Sequence, residues 1–484
     1  MGSCSFLLIF IPIVLALLIQ TVACLHQKVT GSAHLYETRY TTLIPAEIAP
    51  TTSLIIDTFQ NPTHNDLGFW HGAGEGLTTE YTPGFIRLYP TDPDQNFHTQ
   101  FETNGCFSLL PWQNQFLHVV FDGSEDFSIS MNEHNSDCYT YRSPFPGTPD
   151  SVEAARYVMR TRGDSRTDGP DNEDGQKVPA NPTNTGPPWS KNGQSRKPKC
   201  DEEDRGPTSP EKTEIFVPLS HFRINHSRVV SISFSGFYSN VSMALHRIEI
   251  VPKVPPPSPE NQHFIIPENL PTGTLVLRCS RPNSFAFGID DGSPQFAQEV
   301  MRILDAENVK VTFFAVGAGL SDKSTNFTEF YKEMLQKGHQ VALHSNTHPK
   351  MEALPTAAKI DEEIVDTLRV FKDQLNIESR YFRPPFGTIG ARMRQELAKY
   401  IHNPYIVNWT VDIEDWKWAN TSVPERQLQA FYRGVAMGGN LAVMHFLNPT
   451  TVDYLPEFIR HVKESGLKIM RIDQCLEDPD SPPL

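Results

Sequence analysis

The chain has 484 residues, a formal net charge of -15 and a hydrophobic content of 38%. This length accommodates two or three domains with their own cores, and the 40 prolines indicate substantial irregular segments. The acidic balance argues against nucleic acid as a partner, and it is compatible with a neutral or cationic one.

The N-terminal residues have the pattern of a targeting segment. Residues 6–19 form a nearly continuous apolar run, which suits the core of a signal peptide better than a full membrane span. We therefore expect residues 1–23 to be a signal peptide and the mature chain to be secreted, without membrane attachment. An uncleaved anchor is the alternative, because no Lys or Arg precedes the run. Glycosylation sequons fit secretion, and they lie at Asn225, Asn240, Asn326, Asn408 and Asn420.

Residues 30–251 contain short alternating segments separated by turn residues, which is the pattern of an antiparallel β-sandwich. Strands are predicted at 53–57, 85–89, 116–121, 214–218, 229–234 and 244–251. Residues 161–212 have almost no large apolar side chains, so they are predicted to be a disordered insertion. Residues 252–270 are predicted to be a stiff Pro-rich linker. Trp70 and Trp112 could offer stacking faces to a sugar, although such residues more often pack in a core.

Residues 271–478 have a different sequence pattern, in which strand-like apolar runs alternate with segments of helical periodicity. Strands are predicted at 285–289, 311–316, 340–343, 405–411, 441–444 and 468–472. Apolar residues recur at helical spacing between 360 and 375. Repeated strand–helix units predict an α/β fold with a parallel sheet, either open or closed as a barrel.

Two adjacent carboxylates, Asp290 and Asp291, directly follow the apolar run at 285–289. Ser293 and Pro294 suit the cap and first position of a following helix, so the carboxylates are expected at the C-terminal end of a strand. Parallel α/β sheets place their chemistry at that end. Taken alone, Asp-Asp-Gly is better explained as a polar turn.

Other polar groups follow later strands in chain order. His344 and His348 are four residues apart, so on a helical turn both imidazoles could bind one ion. Arg383 begins a rigid Pro-Pro segment, where it could orient a carboxylate. Acidic residues and a histidine end two further strands, and these residues are Asp412, Asp415 and His445. Each group could be a surface or core residue, but their joint occurrence at one edge of a sheet indicates an active site.

In this order the motifs resemble those of the polysaccharide deacetylases with a NodB homology domain, which include chitin deacetylases (carbohydrate esterase family 4). The resemblance covers roughly residues 279–476, and its motifs are Asp290-Asp291, His344-x-x-x-His348, Arg383-Pro-Pro-Phe386, Asp412-x-x-Asp415-Trp416 and His445. It implies a distorted (β/α) barrel of the NodB type in the C-terminal half. The preceding all-β sandwich looks like the galactose-binding-like domain of some fungal proteins.

The resemblance also implies a metal site and a base. One divalent metal, usually zinc, would be held by Asp291, His344 and His348. Asp290 would be the general base that takes a proton from the attacking water, and Arg383 would hold it in place. Gly288 stands where the family usually has Thr, so the register or packing of this strand is expected to differ.

The remaining motif residues would act on the substrate. His445 would protonate the departing amine, and Asp412 would keep His445 charged and oriented. The backbone N–H of Phe386 would stabilise the oxyanion, and Trp416 would wall the acetyl pocket. Asp415 receives no role.

The cysteines are consistent with an oxidising compartment. Cys279 and Cys475 bracket the motif-bearing region, so we expect them to form a disulfide that ties its two ends. A second disulfide between Cys106 and Cys138 is plausible within the sandwich, and Cys200 has no obvious partner.

These features favour a secreted or cell-wall-associated metal-dependent hydrolase that removes N-acetyl groups from chitin or a related amino-sugar polymer. A second hypothesis keeps the metal and the base but changes the substrate to acetylated xylan, peptidoglycan or a small cyclic amide. A third is a carbohydrate-binding protein whose barrel no longer turns over.

Overall fold

The computed structural model describes residues 50–102, 105–135, 138, 149–159, 212–256 and 264–484. The predicted signal peptide, nearly all of the predicted insertion, Cys200 and the middle of the predicted linker lie outside these residues. Within the part of the chain that is described, no helix combines the length and apolar character needed to cross a bilayer.

The first half is a β-sandwich of two antiparallel sheets, as the alternating pattern predicts. One sheet has the order β3-β4-β11-β6-β9 with β1 paired to β11, and the other has the order β2-β5-β10-β7-β8. The strands are β1 Leu54–Asp57, β2 His71–Ala73, β3 Thr78–Thr82, β4 Phe85–Tyr89, β5 Phe97–Gln100, β6 Phe116–Gly123, β7 Ser128–Glu133, β8 Pro149–Glu153, β9 Thr213–Pro218, β10 Val229–Ser235 and β11 Met243–Val251.

The core of the sandwich lies between the facing sides of these sheets. It is rich in aromatic residues, including Phe97, Phe121 and Phe234, which are fully buried. The predicted disulfide Cys106–Cys138 is present. Trp112 packs against this core, whereas Trp70 is 39% exposed.

The second half is an α/β domain built on one parallel sheet, with the order β12-β17-β16-β15-β14-β13-β19-β18 and β20 paired to β13. Its strands are β12 Thr274–Val276, β13 Ser284–Asp290, β14 Thr312–Ala315, β15 Gln340–Leu343, β16 Tyr381–Phe382, β17 Tyr405–Val407, β18 Val411–Asp412, β19 Leu441–His445 and β20 Lys468–Ile469. Its helices are α1 Pro294–Ala306, α2 Gly317–Ser321, α3 Phe327–Gln336, α4 Ala357–Leu375, α5 Ala391–Tyr400, α6 Asp415–Trp418, α7 Arg426–Ala436, α8 Pro449–Glu464 and α9 Ile472–Cys475.

The sheet is a distorted (β/α) barrel with an open seam, and one feature of the chain shows where the seam lies. The predicted single strand at 405–411 is instead two strands, β17 and β18, which stand near opposite ends of the strand order. Only residues 408–410 connect them. The short connection brings the two ends of the sheet close together, so the sheet curls without closing.

The disulfide Cys279–Cys475 confirms the predicted pairing and joins the start of the domain to α9 across 196 residues. Cross-linking so long a loop restricts the unfolded chain, which in the chain-entropy model contributes about 5 kcal/mol to the free energy of unfolding.

The sandwich and the barrel pack against each other within one compact unit. The guanidinium of Arg394 on α5 forms a buried ion pair with Asp150 of β8 at 3.3 Å. The hydroxyl of Ser128 accepts a hydrogen bond from the backbone N–H of Ala391 at 2.8 Å. Because these polar groups are buried and paired, the interface fixes the orientation of the two halves.

Candidate active site

The carboxylate of Asp290 lies at the C-terminal end of β13 and is buried against Arg383. The Arg383 guanidinium is fully buried, and it donates to Asp290 Oδ1 at 2.6 Å. It also donates to the carbonyl oxygens of Val407 at 3.1 Å and Asn408 at 3.4 Å, on both sides of the end of β17. Arg383 therefore occupies the barrel interior beside the open seam and holds Asp290 in one position.

Gly288 makes room for this guanidinium. A Cβ atom at residue 288 would lie 2.6 Å from Arg383 Cζ, which is too close for any side chain. The register of β13 is regular, because Gly288 pairs with Thr312 on one side and Val443 on the other. The glycine therefore affects packing around Arg383 rather than strand register.

We expect Gly288→Ala to lower kcat by about tenfold or more, because overpacking would push the guanidinium away from Asp290. Steady-state kinetics and a thermal melt check this result. Gly105→Ala is the matched control, since a Cβ there meets its nearest atom at an ordinary 3.6 Å. Equal kcat values for the two variants would contradict the packing role of Gly288.

Asp291, His344 and His348 come together as a group that could hold a metal ion. One ligand atom from each residue lies within 4.8 Å of the others. The Nε2 atoms of His344 and His348 lie 3.4 Å and 3.3 Å from Asp291 Oδ1. Two imidazoles and one carboxylate are a donor set typical of catalytic zinc sites.

Three details of these side chains fit a bound cation. Asp291 Oδ1 is buried, and among the described residues it has no hydrogen-bond partner. The Nδ1 of His344 donates to the carbonyl oxygen of Arg383 at 2.7 Å, so its Nε2 presents a lone pair to the site. Burial lowers the pKa of His344 to about 3, which keeps the imidazole in its neutral, ligating form.

The local conformation differs from the predicted helical turn. Residues 344–350 form a loop, in which Ser345 and His348 have left-handed backbone conformations with φ of 56° and 62°. The Ser345 hydroxyl accepts from the His348 N–H at 3.0 Å and stabilises the turn. The imidazoles converge because the loop folds back, and not because residues four apart share a helix face.

His445 at the end of β19 is paired with Asp415, which corrects the prediction for Asp412. Asp415 Oδ1 accepts from His445 Nδ1 at 2.8 Å, and its Oδ2 accepts from the His445 N–H at 2.6 Å. Asp412 instead accepts from the N–H of Glu414 at 2.7 Å. Glu414 has a left-handed conformation with φ of 57°, and this turn carries Asp415 to the end of β19.

The pKa values of the predicted base, Asp290, and of the predicted acid, His445, are shifted in the directions that these roles would require. Burial raises the pKa of Asp290, and Arg383 and His445 oppose the rise. Burial alone would lower the pKa of His445, but the Asp415 carboxylate and the nearby charges of Asp290 and Asp291 raise it to about 9. His445 is therefore protonated at neutral pH, as a general acid must be.

The carboxylates of Asp290, Asp291 and Asp415 and the three imidazoles described above line one cavity of about 490 Å³. Phe386 and Trp416 form part of its wall and are 58% and 69% exposed, respectively. Phe386 has a φ of 61°, and its ring lies 4.8 Å from the ring of His348. Every residue to which the deacetylase resemblance assigned a role lines this cavity except Arg383, which contacts the lining residue Asp290.

Lys350 and Asp94 are among the cavity residues that sequence reasoning missed. The Lys350 ammonium binds Asp92 and Asp94 of the sandwich at 2.7 Å and 2.8 Å. These partners are more than 250 residues from Lys350 in the chain, so no local pattern could have indicated the contact. The sandwich thus contributes a wall of the cavity.

The fold and the site together are typical of a metal-assisted hydrolase. A parallel α/β sheet gathers a metal-type ligand set, a buried carboxylate and a charged histidine at the C-terminal edge of its strands, as metal-assisted hydrolases do. The family follows from comparison with known proteins, since residues 278–404 match the polysaccharide deacetylase family. The matched residues, which lie in the C-terminal half, are therefore similar to a polysaccharide deacetylase domain.

Individual proteins are also similar to part of this chain. A chitin deacetylase of Pestalotiopsis sp. is 28% identical over 211 residues, which are 43% of this chain and 69% of the relative. A peptidoglycan-N-acetylglucosamine deacetylase of Listeria monocytogenes is 29% identical over 200 residues, which are 41% of this chain and 40% of the relative. The solved chitin deacetylase of Colletotrichum lindemuthianum is similar over 43% of this chain and 94% of its own, with 22% identity and a TM-score of 0.40.

Proposed function

We propose that this chain is a secreted, metal-dependent hydrolase that removes N-acetyl groups from chitin or a related β-linked amino-sugar polymer. The observation that carries the proposal is the convergence of a base, a possible metal-ligand set and a charged histidine on one cavity. The names of the relatives from Pestalotiopsis and Listeria support an acetylated amino sugar as the substrate class.

The metal would be held by Asp291, His344 and His348, and zinc suits this donor set. When bound, such a cation polarises the amide carbonyl and makes a nearby water easier to deprotonate. Asp290 takes the proton of the attacking water, and Arg383 keeps its carboxylate aimed at that water. The raised pKa of Asp290 makes it a stronger base than an exposed aspartate.

His445 completes the reaction by donating its proton to the nitrogen of the departing amine. Asp415 holds the imidazole through two hydrogen bonds and favours its charged form. The N–H of Phe386 faces the oxyanion in this proposal, and the exposed ring of Trp416 packs against the acetyl methyl group. The position of both residues in the cavity wall supports these proposed roles.

Acetate release tests the proposal. The protein is dialysed against a chelator, and one half is reloaded with zinc. Both halves are then incubated with acetylated chitohexaose, peptidoglycan fragments and acetylxylan. We expect acetate from an amino-sugar substrate in the reloaded half only. Acetate from acetylxylan alone would instead favour an esterase, and binding of chitohexaose without any release would favour the carbohydrate-binding protein.

A further inference from the structure

One sheet of the sandwich presents a row of small polar residues on its outer face. Strand pairing aligns one residue from each of its five strands across the sheet, and these residues are Gly72, His98, Ser233, Ser130 and Ser151. The alternating strand neighbours, such as Phe97, Phe234 and Ile129, point into the core and are fully buried. The small side chains leave a depression on this face.

The barrel covers one side of this depression and turns it into a groove of about 500 Å³, which we call the interdomain groove. Ile389 and Gly390 of the barrel line the groove together with Ser130, Ser151 and Ser233 of the sheet. The groove and the catalytic cavity share Asp94 and Gly387 in their linings. The groove therefore adjoins the cavity in which the acetamide would react.

Ion pairs connect the sandwich and the barrel where the groove and the cavity meet. Lys350 follows the His348 loop and forms ion pairs with both Asp92 and Asp94. Its ammonium also lies 5.7 Å from the centre of the Phe386 ring, on the rim of the cavity. These contacts join the loop between β4 and β5 of the sandwich to the loop at residues 344–350 of the barrel. They hold the groove beside the catalytic cavity.

The floor of the groove carries neutral hydrogen-bonding groups. The side-chain amide of Asn132 donates to the hydroxyls of Ser231 and Ser233 at 2.9 Å and 2.6 Å, so each hydroxyl keeps its own hydrogen to donate. The one cationic side chain among the lining residues, Arg394, is neutralised by its buried ion pair with Asp150. This lining does not select an anion.

An aromatic ring lies beside His98, near one end of the row of aligned residues. The partly exposed ring of Trp70 is 4.4 Å from the ring of His98, which lines the groove. Hydroxyl and amide groups beside an aromatic ring match the alternating hydroxyl edges and apolar faces of a neutral sugar chain. Four strand spacings of about 4.8 Å make the sheet face roughly 19 Å wide, enough for a few sugar rings.

We propose that the interdomain groove binds the part of the amino-sugar chain that extends beyond the residue being deacetylated. The groove would make the enzyme prefer long substrates over short ones. This inference rests on the proposed function, and it assigns the sandwich a role in substrate selection.

The test compares kcat/KM on acetylated chitohexaose and chitobiose for the full-length, zinc-loaded protein. Ser233→Trp fills the groove, and we expect about tenfold lower kcat/KM on the hexamer with less than a twofold change on the dimer. Trp70→Ala, a surface change, should cost several-fold on the hexamer only. Thr78→Trp is the control, since Thr78 is an exposed strand residue on the other sheet.

The inference would be overturned if the ratio of kcat/KM on the hexamer to kcat/KM on the dimer were unchanged in both Ser233→Trp and Trp70→Ala. Equal losses on both substrates in the folded variants would give this result. Absence of acetate release by the wild-type protein would instead count against the proposed function. In that case, isothermal titration of chitohexaose into the wild type and Trp70→Ala still tests the groove, because weaker binding by the variant is expected and equal binding would overturn the inference.

Discussion

Asp290→Asn is expected to lower kcat on acetylated chitohexaose by about a thousandfold, while the bound metal stays at one equivalent. The amide cannot take a proton from water, so the loss falls on the chemical step. The proposed ligands Asp291, His344 and His348 are unchanged, so metal binding should persist. Initial-rate kinetics and elemental analysis of the dialysed protein measure the two quantities.

The variant also leaves the buried Arg383 without its ionic partner. We therefore expect a lower midpoint of thermal unfolding, because an unpaired buried charge destabilises the folded state. Asp453→Asn, at an exposed position on α8, is the control for a general effect of the Asp-to-Asn change. Near-wild-type turnover by Asp290→Asn with a full complement of metal would exclude Asp290 as the base.

Asp415→Asn is expected to move the alkaline limb of the rate profile to lower pH. The reaction needs protonated His445, so the rate falls as pH rises through its pKa, which is about 9 in the native site. Removal of the Asp415 charge lowers that pKa towards the ordinary value of 6.5 or below. At pH 8 the protonated fraction, and with it the rate, should fall by about thirtyfold, in addition to any loss from misorientation.

Asp412→Asn is the matched control, because it makes the same change three residues away at a carboxylate that is hydrogen-bonded to the Glu414 N–H rather than to His445. Its alkaline limb should stay near pH 9. A larger shift in Asp412→Asn than in Asp415→Asn would restore the pairing that the sequence motif first suggested. The pH dependence of kcat/KM for the three proteins decides between the two aspartates.

The contrast between these two aspartates illustrates what the sequence could predict. The order of motifs at strand ends is readable because parallel strands place their C-terminal ends on one edge. For that reason Asp290, Asp291, His344, His348 and His445 were all predicted to share a site. Which oxygen meets which nitrogen depends on single backbone turns, such as the left-handed Glu414, and residue pattern does not encode them.

Features that depend on contacts between distant parts of the chain could not be predicted from the sequence. The run at 405–411 has uniform strand character, but it crosses the barrel seam and divides into β17 and β18. The ion pairs of Lys350 with the sandwich depend on how two halves of the chain pack. Neither hydrophobic periodicity nor motif spacing carries information about such packing.

The sandwich forms part of the wall of the catalytic cavity, and this has a consequence for how such enzymes diversify. If recombination exchanged the N-terminal half for an unrelated module, each motif in the barrel would survive, yet the rim around Asp94 would be rebuilt. Substrate range could thus change in a single genetic event without any alteration of the catalytic residues. Chimeras with the junction placed between residues 252 and 270 offer a direct route to engineering that range.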